Sequence, residues 1–267
     1  MKYVVTTRQL SDLMAEQSDP NNILLIDTRP FANYIKGHLP GAVNIDLMHF
    51  HWIDSSKNGI RQFNEQTRIL LSNIGVDYDK TIVFYDEISG PSAARGVWLL
   101  IYFSHGQTFL LDGGFRAWQR NENRIEYVPN TFNPTKFKPK LNSSILANLT
   151  HVRSRIKSNS AVIIDTRSKS EYDGSVPRAA RRGHIPSALN VDWAINLDED
   201  GFFRKLPELR RIYSNVGSDA HVITYCQGGY RAANTFLALK MLDYKDVRMY
   251  LGSWGEWGNR SDLPIQK

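Results

Sequence analysis

The chain contains the same pattern twice, and that repetition limits its fold more than any other feature. Ile23-Leu24-Leu25-Ile26-Asp27-Thr28-Arg29 recurs as Val162-Ile163-Ile164-Asp165-Thr166-Arg167. Gly37-His38-Leu39-Pro40-Gly41-Ala42-Val43-Asn44 recurs as Gly183-His184-Ile185-Pro186-Ser187-Ala188-Leu189-Asn190. Thr81-Ile82-Val83-Phe84-Tyr85-Asp86 recurs as His221-Val222-Ile223-Thr224-Tyr225-Cys226, and Asp112-Gly113-Gly114-Phe115-Arg116-Ala117-Trp118 is answered by Gly252-Ser253-Trp254-Gly255-Glu256-Trp257. Four motifs in one order imply a tandem duplication, so 267 residues divide into two similar units. Residues 1–126 are expected to form the first unit and 142–267 the second. Residues 127–141 (YVPNTFNPTKFKPKL) have three prolines and no periodic apolar pattern, and read as an extended linker. The second copy also has an arginine-rich insertion, Ser168 to Arg182, between its first two motifs.

Within each unit, short apolar runs such as TIVFYD and VITYC have the length of strands buried on both faces. Ala93 to Phe103 and Ala232 to Leu242 carry Ala, Leu and aromatic residues at helical spacing. The alternation predicts an α/β fold with a parallel sheet flanked by helices in each unit. Ligands of such sheets sit outside the carboxyl ends of strands, and Cys226 ends one.

No stretch of about 18 apolar residues occurs, and the N-terminal residues lack the apolar run of a signal peptide, so no membrane role is expected. A single cysteine excludes an internal disulfide and any multi-thiolate metal site, and points to a reducing cytoplasm. His49 and His51 have no thiol or carboxylate partner at ligand spacing, so no metal or cofactor is predicted. The net charge is +6, of which residues 147–267 carry +5. The cations are scattered or paired without interleaved aromatics, which suits a small anionic substrate better than nucleic acid.

The chemistry gathers at Tyr225-Cys226-Gln227-Gly228-Gly229-Tyr230-Arg231. A buried strand delivers Cys226 to a short loop, and a helix is predicted to start near Arg231. Gly228 and Gly229 allow a tight turn whose amides face inward; with the positive end of the helix they make a nest for an anion. A thiolate held there is expected to have a depressed pKa, and a persulfide would use the same amides. Arg231 is positioned for a charge-assisted contact with an anionic donor. The alternative, a small buried hydrophobic cysteine, fits a loop of two glycines and an arginine poorly.

The order D-T-R, G-H-[IL]-P-x-A-x-N, a strand ending in Cys, then D-G-G-F-x-x-W or G-S-W-x-E-W resembles the rhodanese superfamily in its tandem form. That group includes thiosulfate and 3-mercaptopyruvate sulfurtransferases, and the resemblance spans nearly the whole chain. It implies a catalytic second unit and a first unit that has lost its cysteine, where Asp86 stands in the place of Cys226. Related cysteine phosphatases separate Cys and Arg by five residues; four separate Cys226 from Arg231, matching the smaller sulfurtransferase loop. The loop CQGGYR differs from C-G-[SG]-G-V-T and C-R-K-G-V-T, and is closer to bacterial loops that begin C-Q and end in arginine. Relatives also place an arginine four residues after the D-x-R arginine, where this chain has Glu171, a departure that favours thiosulfate over mercaptopyruvate.

The expected mechanism is double displacement. Cys226 takes the outer sulfur of thiosulfate, sulfite departs, and a thiol or cyanide acceptor removes the sulfur. Gln227, Gly228, Gly229, Tyr230 and Arg231 would form the substrate loop. Mercaptopyruvate transfer and a non-enzymatic persulfide relay are the rival readings, and a monomer is expected. Asp165 and Arg167 either face the cleft or pair structurally. Trp254 lines the cleft or fills the core. Arg178, Arg181 and Arg182 of the insertion either reach the cleft, with Arg182 the foremost candidate, or sit in a solvated loop. His38 and His184 are expected to stabilise turns.

Overall fold

The computed structural model describes residues 3–16 and 22–267, apart from the side chain of His49. The chain forms two compact units, each built on a five-stranded parallel sheet.

In the first unit the strands are β1 (Val4–Val5), β2 (Ile23–Asp27), β3 (Val43–Asn44), β4 (Thr81–Tyr85) and β5 (Thr108–Leu111). They lie in the order β1-β5-β4-β2-β3. Helices α1 (Thr7–Glu16), α2 (Phe31–Tyr34), α3 (Lys57–Asn73), α4 (Pro91–Tyr102) and α5 (Gly114–Arg120) alternate with them. The second unit repeats the arrangement with β6 (Leu146–Ala147), β7 (Val162–Asp165), β8 (Leu189–Asn190), β9 (Val222–Tyr225) and β10 (Val247–Tyr250), in the order β6-β10-β9-β7-β8. Its helices are α6 (Leu149–Ser158), α7 (Lys169–Tyr172), α8 (Leu206–Ile212), α9 (Tyr230–Met241) and α10 (Ser253–Trp257). Every strand pair is parallel, as the short apolar runs require. The central strands β4 and β9 are flanked on both edges, so whatever follows them emerges in the middle of a sheet.

The D-T-R motif is a structural clamp in both units. Arg167 Nε donates to both carboxylate oxygens of Asp165 at 3.0 and 3.1 Å, and Nη2 to Oδ2 at 2.6 Å and to the Gly183 carbonyl at 2.9 Å. Arg29 repeats the pattern on Asp27 (3.1, 3.1 and 2.7 Å) and on the Gly37 carbonyl at 2.7 Å. All four side chains are buried. The tyrosines ending the central strands join in: the Tyr225 hydroxyl donates to Asp165 at 2.6 Å and accepts from the Ile185 amide at 3.1 Å. Tyr85 accepts from the Leu39 amide at 3.2 Å. A buried charge pair persists only when its hydrogen bonds are filled, and here they are. The histidines of G-H-[IL]-P stabilise the adjoining turn. The His38 ring stacks on Tyr34 at 3.9 Å and its Nδ1 meets the Tyr34 carbonyl at 2.9 Å; His184 does the same on Tyr172 at 3.6 and 2.9 Å.

Residues 131–140 have no helix or strand and run along the first unit. Thr135 bonds the Ser72 and Val76 carbonyls, and Phe137 is buried. Two short segments cluster with the unit of the other repeat. Residues 51–63 belong to the second unit and 197–203 to the first, an exchange the sequence did not signal. In the first unit the Ser89 amide donates to the Gly201 carbonyl at 2.9 Å, and Phe203 N to Asp112 at 3.0 Å. In the second, Ser55 donates from its amide (3.1 Å) and its hydroxyl (2.5 Å) to Glu256, and its hydroxyl accepts from the Leu149 amide at 2.8 Å. Among the described residues no helix is long and apolar enough to cross a membrane.

Candidate active site

β9 is buried along its length, and the next residue, Cys226, is 1% exposed. The loop it opens is fixed by the start of α10. The Cys226 carbonyl accepts from Trp254 N and the Gln227 carbonyl from Gly255 N, both at 2.9 Å, while Cys226 N donates to Ser253 Oγ at 3.3 Å. In a planar trans peptide the N–H opposes the carbonyl, so anchoring these two carbonyls on α10 turns the Gln227 and Gly228 amides the other way. Gly229 completes the turn at the head of α9 with φ of 92°, a left-handed conformation natural to glycine. Its amide donates to Cys226 Sγ at 3.0 Å. The sulfur therefore sits at the positive end of a twelve-residue helix, with a backbone donor aimed at it.

Arg231, on the first turn of α9, faces Glu171. Its Nη1 and Nη2 donate to Oε2 and Oε1 at 2.5 and 2.9 Å, and the two side chains are 21% and 7% exposed. Glu171 also closes a capping box on α7, meeting the Ser168 amide at 3.3 Å and hydroxyl at 3.1 Å. Burial works to raise the Glu171 carboxyl, but the hydrogen bond and charge of Arg231, with Ser168, bring it down to about 2. Burial likewise opposes the Arg231 cation, and the Glu171 hydrogen bond with the nearby negative groups outweighs it, raising the guanidinium.

The other sequence-selected residues separate into two groups. Gln227 is at the loop, where its Nε2 donates to the Arg178 carbonyl at 2.9 Å and ties the insertion to the cysteine loop. Gly228 faces His51, whose Nδ1 would lie 2.4 Å from a Cβ there. Tyr230 is buried, with its ring 5.1 Å from that of His51. Asp165 and Arg167 form the clamp described above. Trp254 is core: it is 1% exposed, and Arg167 stacks on it at 4.6 Å. Arg182 is exposed. Arg181 is committed to the Leu263 and Trp257 carbonyls at 2.7 and 3.0 Å, while Arg178 Nε is 4.0 Å from Glu171 and its side chain is 55% exposed.

Sequence reasoning missed three contributors. Glu171 stands out in the sequence as a departure from relatives and not as the partner of Arg231, although Ser168-x-x-Glu171 is a readable capping box. His51 reads in the sequence only as a rejected metal ligand, and Ser253 carries no mark of its contact with Cys226 N; contacts so distant along the chain leave no local signal.

The first unit repeats the scaffold without the thiol. The Asp86 and Glu87 carbonyls accept from Phe115 N and Arg116 N at 2.9 and 3.0 Å, matching the anchoring by α10. The Asp86 carboxylate takes the amides of Glu87 (2.7 Å) and Ser92 (3.3 Å), but burial prevails and lifts its pKa to about 6.

Comparison with known proteins gives one answer on family and two on donor. The profile of the rhodanese-like domain matches residues 7–121 and 148–260. The chain is 30% identical to a thiosulfate sulfurtransferase of Pseudomonas aeruginosa over 96% of its own length and 95% of that protein's. It is 33% identical to a 3-mercaptopyruvate sulfurtransferase of Escherichia coli, covering 96% of each. The crystal structure of a 3-mercaptopyruvate sulfurtransferase from Escherichia coli superposes with a TM-score of 0.81 at 29% identity, over 95% of this chain and 99% of that one.

Proposed function

The chain belongs to the rhodanese-like family as a tandem-domain sulfurtransferase, and from that premise we propose that it carries sulfur from thiosulfate to a thiol or cyanide as a persulfide on Cys226. The observation that carries this reading is the Gly229 amide directed at Sγ from the head of α9. The Cys226 thiolate attacks the outer sulfur of thiosulfate. Its S–S bond breaks, sulfite leaves with the bonding pair, and the terminal sulfur of the new persulfide keeps the negative charge. Amides that held the thiolate serve the persulfide equally, so no separate base is needed. The acceptor then attacks the outer sulfur and returns Cys226 as thiolate.

In this reading residues 142–267 are the catalytic repeat, residues 127–141 the linker, and residues 1–126 an inactive repeat, because the carboxylate of Asp86 cannot carry sulfane sulfur. The partners are a small anionic donor and a small acceptor, with no nucleic acid, no membrane and no metal or cofactor. The protein acts as a monomer, and its single cysteine suits a reducing cytoplasm. The relative named for 3-mercaptopyruvate supports that donor as a second reading.

Incubation with thiosulfate should add about 32 Da, one sulfur atom, to the intact mass, and Cys226→Ser should abolish both the adduct and turnover. Folded protein that stays unmodified by either donor refutes the proposal. Steady-state rates with both donors decide between them.

A further inference from the structure

A carboxylate is best recognised by a planar guanidinium that offers two parallel N–H bonds. The catalytic loop has such a group in Arg231, and its fork is already filled. Nη1 and Nη2 meet Glu171 Oε2 and Oε1 at 2.5 and 2.9 Å. Glu171 is no passing surface partner: its side chain is 7% exposed, and the Ser168 amide and hydroxyl fix it from the other side. A donor that relied on its own carboxylate would have to displace a buried, two-point, charge-assisted pair. Thiosulfate has no such requirement, because its transferable sulfur is addressed by the amides of the cysteine loop.

We infer that Glu171 is a specificity-determining residue, a built-in carboxylate occupying the Arg231 fork so that 2-oxo-acid thiols are discriminated against. The inference rests on the reading of Cys226 as the sulfur carrier. Arg178 sharpens the argument. Its Nε lies 4.0 Å from Glu171 and its side chain is 55% exposed, so removing the Glu171 charge leaves two guanidinium groups that have both lost the carboxylate they share. Any anion would then be attracted more strongly, but only a carboxylate gains the vacated two-point geometry. The diagnostic quantity is therefore the ratio between donors.

The experiment compares wild type, Glu171→Gln and Glu171→Ala with thiosulfate and 3-mercaptopyruvate. Circular dichroism and melting confirm the fold, and the near-isosteric Gln variant guards against loss of the capping box. The ratio of kcat/KM for mercaptopyruvate to that for thiosulfate should rise about tenfold in Glu171→Ala, the worth of one charge-assisted contact. The change should come mainly through KM, with a smaller rise in Glu171→Gln. Pyruvate, which has the carboxylate without the sulfur, should become a competitive inhibitor against thiosulfate. A second arm needs no turnover: calorimetric titration of pyruvate into Cys226→Ser and into Cys226→Ser/Glu171→Ala should show tighter binding in the double variant. Folded variants with an unchanged donor ratio and unchanged pyruvate affinity overturn the role of Glu171. Absence of Cys226-dependent transfer in the wild type overturns the sulfur-carrier reading, while the titration still decides whether Glu171 blocks the fork.

Discussion

Asp86 occupies in the first unit the position that Cys226 has in the second, and its carboxyl is lifted to about 6 by burial from an ordinary value of 3.8. In the unfolded chain it ionises near the ordinary value, so between pH 3.8 and 6 the folded protein binds more protons than the unfolded one. Stability must then fall as pH rises through that window, and the loss is complete above pH 6. A rise of about two pH units, at about 1.4 kcal/mol each, corresponds to about 3 kcal/mol. Asp86→Asn removes the titration and keeps an oxygen for the Glu87 or Ser92 amide, which the carboxylate now accepts at 2.7 and 3.3 Å. The difference in unfolding free energy between variant and wild type should thus move in the variant's favour by about 2.5 kcal/mol from pH 4 to pH 7, the rest of the change lying below pH 4. All other titrations cancel in that difference. In urea, with a slope of about 2 kcal/mol/M for a unit this size, the gap between midpoints should change by roughly 1.2 M. A gap that stays constant across the window would refute the assignment of a buried, proton-holding carboxyl at this site.

Gly229→Ala forces a Cβ into φ of 92° at the head of α9; it should cost about 1–2 kcal/mol of stability and slow sulfur loading of Cys226 about tenfold, by stopped mass spectrometry. Arg167→Met leaves Asp165 buried and unpaired, and should destabilise by about 3–5 kcal/mol in urea melts. Arg29→Met should cost a similar amount, although its repeat has no cysteine; a catalytic role for the motif would instead confine the effect to Arg167. Glu256→Ala strips the acceptor shared by the Ser55 amide, the Ser55 hydroxyl and the Tyr250 hydroxyl. It should lower stability by about 2–3 kcal/mol and expose residues 51–63 to limited proteolysis.

Much of the architecture was legible because it depends on short-range pattern. Buried runs such as Val222–Tyr225 announce parallel strands, and the offset between equivalent motifs reveals the duplication and the insertion. The place of Cys226 at the end of a buried strand follows from the same reading, while the central position of that strand does not. What escaped depends on where side chains meet after folding. Asp165, Arg167 and Trp254 were open to a cleft reading, because a buried ion pair stacked on an indole looks the same in sequence as a ligand-binding one. Arg231 reads in the sequence as a contact for an anionic donor, since nothing local says that Glu171, sixty residues earlier, reaches its fork. The exchanged segments 51–63 and 197–203 could not be read at all, for they lie in connections whose composition is ordinary.

That exchange makes the ancient duplication irreversible by scissors. A fragment starting at Ser143 would retain the sheet, the cysteine and α9, yet it would lack the Ser55 hydroxyl that accepts from the Leu149 amide and donates to Glu256 on α10. α10 is also what anchors the Cys226 and Gln227 carbonyls. The two repeats arose by copying, but each now completes its tertiary structure with a strip of polypeptide encoded in its sibling. The heritable unit is the pair.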